Sequence, residues 1–71
     1  MRNREETTPG AILREALARE QEAQAFYAGL IAHCRVDFIR ELAEKLENEE
    51  AKHVRLVQEM ITRLNLGQDI V

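Results

Sequence analysis

Glu50 and His53 stand three residues apart in the segment Glu47-Asn48-Glu49-Glu50-Ala51-Lys52-His53. On a helix that spacing projects both side chains from one face. A carboxylate beside an imidazole can share a proton, pair as ions or hold a divalent metal. Steps of three and four through the second half of the chain give Ile39, Leu42, Leu46, Glu50, His53, Val57, Met60 and Leu64. Every other member of that series is aliphatic or Met, so the Glu and the His interrupt an apolar seam, where polar groups need a proton, a hydrogen bond or a metal. The first half repeats the pattern with Leu13, Ala16, Glu20, Ala23, Tyr27, Leu30 and Cys34. Here Glu20 is the one acid in the series.

Two helices must position these groups. Thr8 is a suitable N-cap with Pro9 at the first helical position, and Ile12, Leu17, Phe26 and Ile31 widen the first stripe as in a globular bundle. The register breaks around Arg35 to Asp37, where Asp37 is expected to cap a second helix starting at Phe38 and running to about Leu66, with Gly67 as its stop. The chain therefore divides into a flexible arm over 1–7, a hairpin over 8–67 with helices at about 9–34 and 38–66, and a tail over 68–71. So short a connection makes the helices antiparallel neighbours. Counted from a turn near residue 35 or 36, Glu20 lies about 15 residues before it and Glu50 and His53 about 15 and 17 after. At roughly 1.5 Å per residue all three fall within about 3 Å of one level.

Composition bounds the alternatives. The 71 residues are 45% hydrophobic and 32% charged with a single Pro, usage that favours helix in one small domain. A net charge of −3 with scattered basic residues gives no reason to expect nucleic acid or an anionic membrane as partner. Cys34 is the lone cysteine, so neither an intrachain disulfide nor a CxxC metal site can form. No apolar run reaches membrane-spanning length and the N-terminus lacks a signal-peptide core, so a cytoplasmic setting is the expectation. Opposite charges such as Glu41–Lys45 read as a solvated face, as do Glu22, Glu47 and Glu49. His33 is expected on the surface at a helix C-terminus and Cys34 in packing.

A two-helix hairpin has little to cover its apolar stripes, and pairing two of them into a four-helix bundle is the simplest remedy. A two-fold dimer would gather Glu20, Glu50 and His53 with their copies at one level. Without cations those carboxylates would repel one another in a poorly solvated core. A pair of divalent metals resolves the conflict. One Glu from each of two helices with Glu-x-x-His from each of the other two is the donor set of di-iron and di-manganese carboxylate bundles. The bland reading is a polar pair that fixes dimer register in a structural adaptor.

Glu20-Gln21-Glu22-Ala23-Gln24-Ala25-Phe26-Tyr27 resembles the first ligand helix of the rubrerythrin and ferritin-like proteins, where a ligand Glu precedes a Tyr by seven residues. Leu42 to His53 is similar to their second helix with its Glu-x-x-His, and the likeness spans about residues 10 to 66. It implies an all-α fold: a hairpin that dimerises into a ferritin-like four-helix bundle. Glu20 would be a terminal ligand, Glu50 a bridging one and His53 the nitrogen ligand, holding two Fe per dimer, with Mn or Zn as competitors. The implied activity is oxidation of Fe(II) by oxygen or peroxide for iron handling or storage, with rubrerythrin-like peroxide reduction as a variant. Gln24, one turn from Glu20, is a candidate to stand just behind the ligands; Tyr27, on the same face two turns on, reads first as a core Tyr whose hydroxyl bonds a near neighbour, with a place behind the ligands or a redox part as the alternative. The chain carries half the helices of the usual family member, so it resembles the short two-helix members that build the site across a dimer interface. Some of those are encapsulin cargo, which makes such a shell a second implied partner and its lumen a second implied location.

Overall fold

A computed structural model describes residues 8–67 of the chain. The arm at 1–7 and the tail at 68–71 lie outside the described residues. Two helices make up the fold, α1 at Pro9–His33 and α2 at Asp37–Asn65, packed on each other as a hairpin. No strand occurs among the described residues.

Local chemistry sets the ends. The Thr8 hydroxyl accepts from the Ala11 backbone N–H at 3.2 Å, and Pro9 follows at a position where a missing N–H costs nothing. At the other end of α1 the Cys34 N–H still reaches the Leu30 carbonyl at 2.8 Å, after which the chain turns extended. Exposed His33 closes the last turn, where a positive side chain suits the helix dipole. Half-buried Cys34 does more than pack: its Sγ lies 3.9 Å from the Val36 carbonyl oxygen, a weak S–H donation across the turn. Gly67 adopts φ +78°, the left-handed conformation that ends helices most cheaply at glycine.

Asp37 does not cap α2. Val36 holds that position with no side-chain bond, and its carbonyl accepts from Ile39 at 3.1 Å and Arg40 at 3.0 Å. Asp37 lies inside the first turn, where its charge still meets the positive end of the dipole. The Glu41–Lys45 pair is likewise not formed among the described residues; Glu15–Arg19 at 3.2 Å and Glu49–Lys52 at 3.4 Å are the Lys/Arg–carboxylate pairs along the helices. Such exposed pairs gain little over solvation, so which ones close has small energetic consequence.

The apolar stripe on α2 is wider than one contact face, and it splits. Ala43, 1% exposed, is the one buried side chain among the described residues, and Leu46, Glu50, Val54, Val57 and Ile61 near its side of the helix are half-buried. Leu42 and Leu56, by contrast, are each 54% exposed and Phe38 is more so. At about 100° per residue, Phe38, Leu42, His53, Leu56 and Met60 fall within one sector of roughly 60° beside the inter-helix seam. The seam runs one position over from Leu42 and His53, which lie on an open face instead. On α1, Ile12 and Phe26 are likewise exposed. The Cα trace is 12 Å deep in its thinnest direction, a single layer of helices, and among the described residues no second layer covers that face.

Candidate metal centre

Glu20 comes from the middle of α1, Glu50 and His53 from the middle of α2, and the antiparallel turn brings them to one level. One donor atom from each lies within 4.8 Å of the others. The His53 Nδ1 is the nitrogen that faces the carboxylates, 3.3 Å from Glu20 Oε2 and 3.5 Å from Glu50 Oε2. Only the contact with Glu20 is aligned as a hydrogen bond; Glu50 Oε2 is fully covered yet has no hydrogen-bond partner. A covered carboxylate oxygen without a donor is costly in an isolated chain. A cation between the three side chains would satisfy it.

Exposure grades across the site. The Glu50 side chain is 19% exposed, Glu20 31% and His53 50%, so the site opens toward the same side as Leu42 and Leu56. Glu50 carries the electrostatic signature of the cluster: its carboxyl titrates above its ordinary value. The largest cause is a hydrogen bond to Glu20, which Glu50 can donate only while it keeps its proton. Desolvation and the Glu20 charge push the same way, and His53 opposes them. Two acids held this close thus resist being ionised together, and a divalent cation would reverse that resistance.

Gln24 and Tyr27 are half-buried, and neither hydrogen-bonds to Glu20, Glu50 or His53 among the described residues. Tyr27 packs edge-on against Phe26, ring centroids 5.5 Å apart, rather than spending its hydroxyl on a neighbour. Glu22 and Glu49 are exposed, whereas Glu47 is half-buried. The orphan oxygen of Glu50 is the feature that sequence spacing does not reveal, because it depends on which rotamers the facing helix permits.

No family model, curated protein or solved structure matches the chain.

Proposed function

We propose that this chain is an iron-binding, ferritin-like protein. Two hairpins pair along their open faces into a four-helix bundle, and Glu20, Glu50 and His53 of both copies hold a pair of iron ions at the interface. The observation that carries the reading is the convergence of two carboxylates and an imidazole within 4.8 Å, with a covered Glu50 oxygen left unpartnered. The resemblance of the Glu20–Tyr27 and Leu42–His53 segments to ferritin-like ligand helices supports it independently of the geometry.

The donor set fits the metal. Oxygen-rich ligation with one nitrogen per ion suits iron or manganese, although zinc and copper compete on affinity alone. When bound, iron would supply the electrons for reduction of dioxygen or peroxide. The chain's own part would be to hold and orient: by the resemblance Glu50 would be the shared ligand, and Glu20 and His53 would complete the set. Peroxide reduction would need an external electron donor, since Cys34 is the lone cysteine in the sequence.

A structural dimerisation module is the competing reading, and the Glu20–His53 contact is the observation that favours it: at 3.3 Å the two can satisfy each other as an ion pair with no metal present. Iron per chain and dimer stability, measured with and without Fe(II) under anaerobic conditions, separate the two. The proposal expects about one iron per chain in wild type, a dimer strengthened by metal, and loss of both in Glu50→Ala, because metal binding and assembly are linked. A wild type that takes up no iron, with Glu50→Ala dimerising as well or better, would establish the structural module instead.

A further inference from the structure

We draw no further inference here: the strongest candidate, the row of Glu41, Glu44, Glu47 and Glu50 that winds at three-residue steps along α2 from its exposed side into the candidate metal centre, is a cluster of acidic side chains that ends in the site already described, and among the described residues nothing else along it points to a ligand.

Discussion

The two sides of α2 differ in what covers them. On the side facing α1, Ala43 is buried and Val54, Val57 and Ile61 are half-buried. One sector away, Phe38, Leu42 and Leu56 are more than half exposed, although they are larger and more apolar than Ala43. A small side chain takes the closest approach of the helices while large ones face outward. That reverses the ordinary relation between size and burial. Glu50 sits on the covered side, with Glu20 across the seam and His53 out on the open side. The contrast teaches that the single chain is finished on one side only, and that its polar trio reaches from the finished side to the open one.

The largest break in that contrast should come from the open side. Under metal-loaded conditions Ile12→Glu with Leu42→Glu removes the covering of four half-exposed aliphatic side chains per dimer, about 3–6 kcal/mol, or a factor of about 10²–10⁴ in the dimer dissociation constant. Sedimentation equilibrium reads this, while helicity should be unchanged. The finished side should behave in the opposite way. Ala43→Leu overfills the seam at a cost of about 1–3 kcal/mol to the hairpin itself, lowering its melting temperature on the order of 10 °C by circular dichroism.

A change on neither side sharpens the comparison. Thr8→Ala removes the acceptor that holds the Ala11 N–H and should cost about 1 kcal/mol of hairpin stability, several degrees in melting temperature, with pairing affinity intact. The smallest effect belongs to Glu50 itself. With its folded-state titration raised, metal-free Glu50 binds more protons folded than unfolded, so stability falls as pH rises above its ordinary value of about 4.5. Glu50→Gln cannot ionise there. It should melt above wild type at pH 7 without metal, and the gap should close at pH 4.

Much of this was legible from spacing. Thr8, Pro9 and Gly67 mark helix ends because each acts through its own backbone or side-chain chemistry, and the structure uses them that way. The level of Glu20 against Glu50 and His53 follows from helical rise and a short turn, and both are fixed by residue count. What spacing does not resolve is direction within a stripe. Leu42 and Ala43 are adjacent, yet one is open and the other buried, because a stripe wide enough for two contacts leaves the choice of partner to packing. Asp37 misled for a related reason: Val36, with no capping side chain, holds the cap, and the Asp serves one position later through its charge.

The most direct test is a crystal structure of the chain grown with Fe(II) under anaerobic conditions, with anomalous scattering recorded at the iron edge. The account predicts two iron peaks per pair of hairpins, each held by His53 Nδ1 and by the carboxylates of Glu20 and Glu50, with the second copy laid against Ile12, Leu42 and Leu56. Hairpins that show no iron signal, keep the Glu20–His53 contact as it stands and leave that face open would contradict it.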